Sequence, residues 1–150
     1  MTVTVVRVDD SHDPRLDDYR GVRHLRRDSD EWFIVETVVA IERLLRSPYP
    51  VRSLLLTDDK LQRLGGQLDT LNCPVYVLPR AAMADVVGFS IHRGAMASAG
   101  RLDLRPMSAF TACRRLVLME GCVDHENLGA VARSARALGY EGLITDATSV

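Results

Sequence analysis

The residues best suited to chemistry lie in one stretch near the carboxyl end of the sequence. Asn127 and Gly129 follow an apolar run there, and Arg133 comes four residues after the glycine. A guanidinium offers a planar fork of hydrogen-bond donors that matches oxyanions, but it is a poor base. This pattern suits the binding of a phosphate or a hydroxyl oxygen. From the residue types alone, the alternative is an amphipathic helix on which Arg133 and Arg136 are simply solvated.

A second group of polar residues precedes this stretch. His92 and Arg93 lie between Gly88 and Gly94, which suits a loop that meets an RNA phosphate or base edge. In the alternative, His92 satisfies a backbone carbonyl and the glycines only turn the chain. Glu36 ends an apolar run, where a buried unpaired carboxylate would be costly. We expect Glu36 to pair locally, with a role in RNA binding as the alternative.

The charge distribution says more than the net charge. The net charge of −1 over 150 residues argues by itself against a nucleic-acid partner. Residues 80–115, however, contain six arginines, Arg101 among them, and only two aspartates. A local basic stretch of this kind is compatible with a phosphate-contacting surface, although a solvated face would give the same composition.

Several classes of protein are excluded by composition. No apolar run approaches 18 residues and the first residues show no signal peptide, so we expect a cytoplasmic protein without a membrane partner. The three cysteines form no Cys-x-x-Cys pair, which argues against a disulfide framework and a zinc site. Cys122 and His125 are only two ligands, fewer than structural zinc uses, so no metal is expected.

The hydrophobic pattern alternates strands and helices, which predicts an α/β fold. Helices are predicted from Thr37 and Thr57 and over residues 80–87. Asn127 is predicted to cap the last helix, with Gly139 just beyond its end. Leu128, Val131, Ala135 and Leu138 are predicted to face a sheet. The predicted strands are EWFIVE, VRSLLLT, PVYVLP, GAMASAG, RLVLME and YEGLIT.

Residues 116–145 resemble the first signature motif of the SpoU (TrmH) family of RNA 2′-O-ribose methyltransferases. In that motif a buried strand is followed by Asn-x-Gly, by an Arg-(Thr/Ser)-Ala triplet and by a helix ending in Gly. This sequence has Asn127 and Gly129, the triplet Arg133-Ser134-Ala135, and Gly139.

Earlier segments resemble the RNA-binding domain that precedes the catalytic domain in many members of the family, a domain similar to a small ribosomal protein. They are His12-Asp13-Pro14-Arg15-Leu16, Phe33-Ile34-Val35-Glu36, and the box from Gly88 to Ala97 that contains His92-Arg93-Gly94. The sequence departs from the family at Thr37, where Gly is usual.

The resemblance implies an RNA-binding domain over residues 1–108 and the first β-α-β unit of a trefoil-knot methyltransferase domain over residues 109–150. It implies catalytic roles for Arg133, at the ribose 2′-hydroxyl and its phosphate, and for Asn127. His92, Arg93, Arg101 and Glu36 are expected to bind RNA, either rRNA or tRNA.

The family's cofactor is S-adenosylmethionine, and members usually work as homodimers. The two later signature motifs, which bind the cofactor, are absent from these 150 residues. We therefore expect no cofactor-binding residue in this chain and no activity from it alone. One alternative is a non-catalytic RNA-binding module of ribosomal-protein type. A nucleotide-binding domain is a weaker one, because no Gly-rich phosphate loop follows a strand.

Overall fold

The computed structural model describes residues 3–21, 31–88 and 93–149. The chain divides into two compact units, Met1–Leu102 and Asp103–Val150. We call them the first and second units and describe each by itself. The roles predicted for residues 1–108 and 109–150 stay predictions.

The first unit is built on a five-stranded sheet in the order β1-β4-β3-β5-β2. Strands β1, β4 and β3 pair in parallel, whereas β5 pairs antiparallel with both β3 and β2. Three helices connect the strands, and a 3₁₀ helix follows β1. The strands are β1 (Thr4–Arg7), β2 (Trp32–Glu36), β3 (Val51–Leu56), β4 (Pro74–Val77) and β5 (Ala95–Gly100). The helices are α1 (Val38–Leu44), α2 (Asp58–Leu64), α3 (Arg80–Val87) and the 3₁₀ helices Pro14–Tyr19 and Gly65–Leu68.

Both faces of this sheet are covered by apolar side chains. One core packs α1 and α2 on the sheet, with Ile41, Leu54 and Leu64 fully buried or nearly so. The other core packs α3 and the 3₁₀ helix on the opposite face, around Leu16 and Met83. Strands buried on both faces have continuous apolar sequences, which is the pattern of Leu54–Leu56 in β3 and of β4.

The turn from β2 into α1 holds a residue in an unusual conformation. Thr37 has φ 83° and ψ 143°, and it is the only non-glycine residue in the described part of the chain with positive φ. Its hydroxyl accepts a hydrogen bond from the N–H of Ala40 at 3.2 Å, which caps α1. Glycine adopts this conformation without steric cost. The departure from the family pattern at this position therefore places a strained residue in an otherwise regular turn.

The second unit is a single β-α-β element. Its strands pair in parallel, with Val117 opposite Leu143. A Cβ atom on Gly142 would be 2.9 Å from the ring of Phe110 and 2.7 Å from the side chain of Leu116, which is closer than van der Waals contact. Gly142 is therefore needed for this packing. The elements are a 3₁₀ helix (Met107–Phe110), β6 (Leu116–Met119), α4 (His125–Ala137) and β7 (Gly142–Thr145).

The ends of α4 agree only in part with the prediction. The amino-terminal cap is Asp124, whose carboxylate accepts from the N–H groups of Glu126 and Asn127, so the prediction that Asn127 is the cap is wrong. Asn127 lies inside the first turn instead. At the other end the prediction is confirmed: Gly139 has φ 79°, and its N–H and that of Tyr140 donate to carbonyls of the last turn. These two bonds form a Schellman motif.

The face of α4 that meets the sheet is shorter than predicted. Ala135 is buried, and Leu128 and Val131 are partly buried, as expected. Leu138 is 67% exposed, so its predicted packing is wrong. The helix ends at Ala137, and the turn through Gly139 takes Leu138 off the buried face.

The predicted elements of the first unit are confirmed to within one or two residues. Strand β1 was not among them, although it lies at the edge of the sheet beside β4. No helix in the described part of the chain is long and apolar enough to cross a membrane.

Candidate functional site

The guanidinium of Arg133 lies on the backbone of Gly129, one turn nearer the start of α4. A Cβ atom on Gly129 would be 3.0 Å from Nη1 of Arg133 and 3.9 Å from its Cζ. Arg133 is exposed, and no described residue forms a hydrogen bond or an ion pair with its guanidinium. The donors of this group are therefore available to a ligand.

Asn127 is exposed in the first turn of the same helix, and its amide side chain has no hydrogen-bond partner among the described residues. Asn127 precedes Gly129 by two residues, about 200° around the helix, so it does not lie on the face over which the Arg133 guanidinium extends. No hydrogen bond joins Asn127 to Arg133.

Two loops meet beside the start of α4. The Asp146 carboxylate, which follows β7, accepts hydrogen bonds from the N–H of Gly121 at 3.1 Å and from the Ser149 hydroxyl at 2.5 Å. The Thr148 hydroxyl also donates to it. Ser149 in turn accepts from the N–H of Cys122 at 3.1 Å. The loop that leads into α4 is thus held by the loop after β7.

This arrangement perturbs the acidity of Asp146. The Ser149 hydroxyl, then the Thr148 hydroxyl and the Gly121 N–H, stabilise the ionised carboxylate and hold the pKa of Asp146 well below its usual range. Asp146 was not predicted as a site residue. The only signal in the sequence is its place directly after a strand, since loops at the carboxyl ends of parallel strands form binding sites in α/β folds.

Arg136 lies elsewhere on α4. It lines a groove of about 330 Å³ in the second unit with residues that include Tyr140, Gly142 and Leu143. Arg133 is not among the residues that line this groove. Arg133 and Arg136 are both exposed, as predicted, but they serve different parts of the helix surface.

In the first unit, one edge of the sheet collects several charged residues. Strands β1, β3 and β4 are parallel, and β5 runs the other way, so the carboxyl ends of the first three and the start of β5 share this edge. The end of β2 joins them, because Glu36 pairs with Met96 of β5. We call it the carboxyl edge; it carries Arg7, Glu36, Asp58, Asp59, Arg80 and Arg93.

The start of β5 packs tightly at the carboxyl edge. Gly94 has φ 62°, and a Cβ atom there would be 2.7 Å from Oγ1 of Thr57 and 3.4 Å from Nη2 of Arg80. The Thr57 hydroxyl donates to Asp59 Oδ1 at 2.5 Å and to the Gly94 carbonyl at 3.1 Å. Only glycine fits at this position, which explains the Arg-Gly pair in structural terms.

At that contact, two cationic side chains lie near the Asp59 carboxylate. Lys60 binds it at 2.7 Å and Arg80 lies 4.0 Å away. Chiefly through the hydrogen bond from Lys60 and then that from Thr57, the pKa of Asp59 falls to about 2. Arg7, which the sequence analysis did not single out, is paired with Asp58 at 2.8 Å.

The predicted RNA-binding residues are brought together only in part. Glu36 and Arg93 are both exposed at the carboxyl edge. Glu36 has no ion-pair or hydrogen-bond partner among the described residues, and its predicted local pairing stays a prediction. His92 lies outside the described residues.

Arg101 lies at the opposite edge of the sheet from Arg93. It follows the last residue of β5, a strand about 20 Å long at ~3.4 Å per residue. Its N–H donates to the Glu31 carbonyl at 2.8 Å, and its guanidinium carbon is 5.7 Å from the centre of the Phe33 ring. One ligand group cannot contact Arg93 and Arg101 together. The basic stretch 80–115 is also divided, since Arg105, Arg114 and Arg115 belong to the second unit.

Metal ligation has no support in the described part of the chain. No group of three or more His, Cys, Asp or Glu side chains is arranged there to hold an ion. The three cysteines are free thiols, each partly exposed.

Comparison with known proteins places these features in context. No family model matches the chain. Two proteins described as uncharacterized tRNA/rRNA methyltransferases, from Mycobacterium tuberculosis and Mycobacterium bovis, are each 34% identical to it over 141 residues. That match covers 90% of this chain and 49% of each relative, so the chain spans about half the length of the curated relatives that it matches.

Solved structures show the same fold. An S-adenosylmethionine-bound rRNA methyltransferase from Sinorhizobium meliloti superposes with a TM-score of 0.72 at 17% identity, over 94% of this chain and 54% of its own. The SpoU methyltransferase AviRb from Streptomyces viridochromogenes gives 0.65 at 22% identity, over 91% and 52%. At such identities the likeness establishes the fold. The chain thus resembles tRNA/rRNA methyltransferases in sequence and SpoU methyltransferases in fold.

Proposed function

We propose that this chain belongs to the SpoU methyltransferase family and supplies the RNA-binding domain and the first catalytic motif of an RNA 2′-O-ribose methyltransferase. In this proposal the first unit is a ribosomal-protein-like RNA-binding domain and the second opens a trefoil-knot domain. The substrate is tRNA or rRNA, as the names of the mycobacterial relatives suggest. A homodimer in the cytoplasm belongs to the same proposal.

One observation carries the catalytic part: the Arg133 guanidinium lies across the first turns of α4 without a partner among the described residues. A long side chain on a helix leans over the turn before it, and the absence of a side chain at Gly129 lets the Arg133 guanidinium lie close to the helix there. A guanidinium fork can hold two oxygens at once. Arg133 would bind the ribose 2′-hydroxyl and the adjacent phosphate, and Asn127 would help to position Arg133 and the ribose, as the family resemblance implies.

S-adenosylmethionine would supply the methyl group, as the bound cofactor of a structural neighbour suggests. The groove beside Arg136 does not fit this cofactor. Its lining contributes the cation of Arg136 and the carboxylate of Glu141, and that carboxylate already accepts a hydrogen bond from the N–H of Arg114 at 2.7 Å. A cationic sulfonium next to Arg136 would be repelled. We therefore assign no cofactor contact to this chain and restrict the role of its residues to the RNA.

Arg133 would stabilise the negative charge that develops in the transition state. This role sets the size of the rate loss expected when Arg133 is removed. Loss of one charged stabiliser in a preorganised site lowers turnover about a hundredfold or more. In the protein at its full natural length, Arg133→Ala should lower methyl transfer from radiolabelled S-adenosylmethionine to unmodified tRNA or rRNA by at least that factor.

The folded state should not change in this variant, because surface substitutions shift stability by only about 0.5 kcal/mol. Unaltered transfer with Arg133→Ala would refute the catalytic assignment. RNA binding by the unsubstituted protein without any methyl transfer would instead favour a non-catalytic RNA-binding module.

A further inference from the structure

We propose that Gly129 is a positioning residue for Arg133: the missing side chain leaves the space in which the guanidinium lies. The inference rests on the proposed function and names what holds its central residue in place. The distance of 3.0 Å between Nη1 and a Cβ atom at Gly129 is shorter than ordinary van der Waals contact. A methyl group at this position would therefore displace the guanidinium by a few tenths of an ångström.

The backbone at Gly129 gives no other reason for a glycine. Gly129 is not among the residues with positive φ, so any residue can adopt its conformation. It lies within a 13-residue helix, where glycine is less favourable than alanine. The sequence keeps an unfavourable helix residue at a position of α4 where a side chain would meet Arg133. Space for that side chain is the explanation that remains.

The position of the guanidinium also depends on packing rather than on hydrogen bonds. No described residue binds it through a hydrogen bond or an ion pair. The helix itself directs a long side chain toward its start, and the space at Gly129 lets the guanidinium lie close to the helix surface there. Loss of that space would leave Arg133 charged and present but shifted from this position. Small misplacements of this kind reduce rates strongly, since about 1 Å can cost a factor of 100.

The test is Gly129→Ala, with Gly66→Ala as the matched control. A Cβ atom on Gly66 would meet only Asp69 Oδ2, at 3.5 Å, which is ordinary contact in the first unit. In the full-length protein we expect Gly129→Ala to lower kcat for methyl transfer to unmodified RNA about tenfold, a fraction of the loss in Arg133→Ala. Its melting temperature should be equal or higher, because alanine favours the helix. Gly66→Ala should leave kcat unchanged.

Two further measurements separate positioning from a structural role. In the ¹⁵N spectrum of the chain, the Nε resonance of Arg133, assigned through its loss in Arg133→Lys, should shift in Gly129→Ala and stay in place in Gly66→Ala. In a double variant, Gly129→Ala should add no loss to that of Arg133→Ala, because the glycine acts only through the arginine.

The outcomes are distinct. If Arg133→Ala lowers kcat but Gly129→Ala does not, or if the two losses add, the positioning role is wrong and the proposed function stands. If Arg133→Ala leaves kcat intact, the proposed function fails first. A lower melting temperature in Gly129→Ala, with an unmoved Arg133 resonance, would assign the glycine to folding instead.

Discussion

The N–H of Gly121 donates a hydrogen bond to Oδ1 of Asp146 at 3.1 Å, and this bond joins the two loops at the carboxyl ends of β6 and β7. Gly121 precedes the cap of α4 by three residues, so the bond fixes the approach to the helix that carries Arg133. The Asp146 carboxylate connects the loops most strongly when it is ionised, because three donors point at its oxygens.

This bond predicts a pH-dependent loop. The pKa of Asp146 is lowered in the folded chain, so its ionised form stabilises the fold above the usual value of 3.8, and that contribution is lost as the pH falls below it. We expect the hydrogen-exchange protection of the Gly121 and Cys122 amides to fall between about pH 4 and pH 2. In Asp146→Asn the same amides should be less protected at pH 6, and their protection should no longer change across this window. Identical pH profiles in the two proteins would show that other groups hold the loops.

A second prediction concerns the strained turn before α1. Thr37 has φ 83°, a conformation that costs a non-glycine residue about 1–3 kcal/mol. Thr37→Gly removes this strain. It also loses the hydrogen bond that caps α1 at Ala40, which costs a few tenths of a kcal/mol of stability when Gly replaces Thr. The greater chain entropy of glycine stabilises the unfolded state by about 0.5–1 kcal/mol. We expect a net gain of about 1 kcal/mol in the free energy of unfolding, measured by urea denaturation.

Thr57→Gly is the matched control for this change. Thr57 also precedes a helix, but its φ is −83°, and its hydroxyl donates to Asp59 and to the Gly94 carbonyl. The same substitution should therefore destabilise the protein there. Destabilisation of similar size at both positions would mean that Thr37 carries no strain.

The two threonines also illustrate what the sequence could predict. Both were expected at helix starts, and both are there, because local patterns determine where α1 and α2 begin. The direction of the chain at Thr37 follows from the pairing of β2 with β5, residues 60 positions apart, and no local pattern contains it. The departure from the family glycine was visible in the sequence, but its consequence required the backbone angles.

The candidate site shows the same limit. The pattern of strand, Asn-x-Gly, Arg and Gly gave the positions of Asn127 and Arg133 and the turn at Gly139. It did not distinguish Asp124 from Asn127 as the cap, since both residue types cap helices well. The proximity of Arg133 to Gly129 depends on a side-chain conformation that the sequence does not contain. The hydrogen bond between Gly121 and Asp146 joins two loops that are 25 residues apart in the sequence.

A third prediction decides which edge of the first unit meets RNA. Arg93 is exposed and has no ion-pair partner among the described residues, whereas the Arg101 guanidinium lies over the Phe33 ring at the opposite edge. We expect Arg93→Ala to weaken binding to a structured rRNA fragment and to flatten the dependence of log K on log salt by about 0.7–0.9, the loss of one phosphate contact.

Arg101→Ala should change affinity and salt dependence much less, and it serves as the control of equal charge. Fluorescence anisotropy at several salt concentrations measures both quantities. The opposite ranking would show that RNA binds at the edge that carries Arg101. Unchanged slopes of log K against log salt in both variants would show that RNA contacts neither edge of this sheet.

The last prediction concerns the chemical nature of the group at position 133. If Arg133 holds the ribose 2′-hydroxyl and the adjacent phosphate together, a single charge is insufficient, because lysine lacks the planar fork that binds two oxygens. Arg133→Lys should therefore recover little of the activity that Arg133→Ala loses, while affinity for RNA returns toward that of the unsubstituted protein. Arg136→Ala removes an equal charge three residues along α4, beside the separate groove, and should be much milder. The measurement is kcat together with the Kd for RNA in the three variants. Equal losses in Arg133→Ala and Arg136→Ala would indicate that α4 contributes only a general positive field, and full recovery with lysine would show that charge alone suffices at this position.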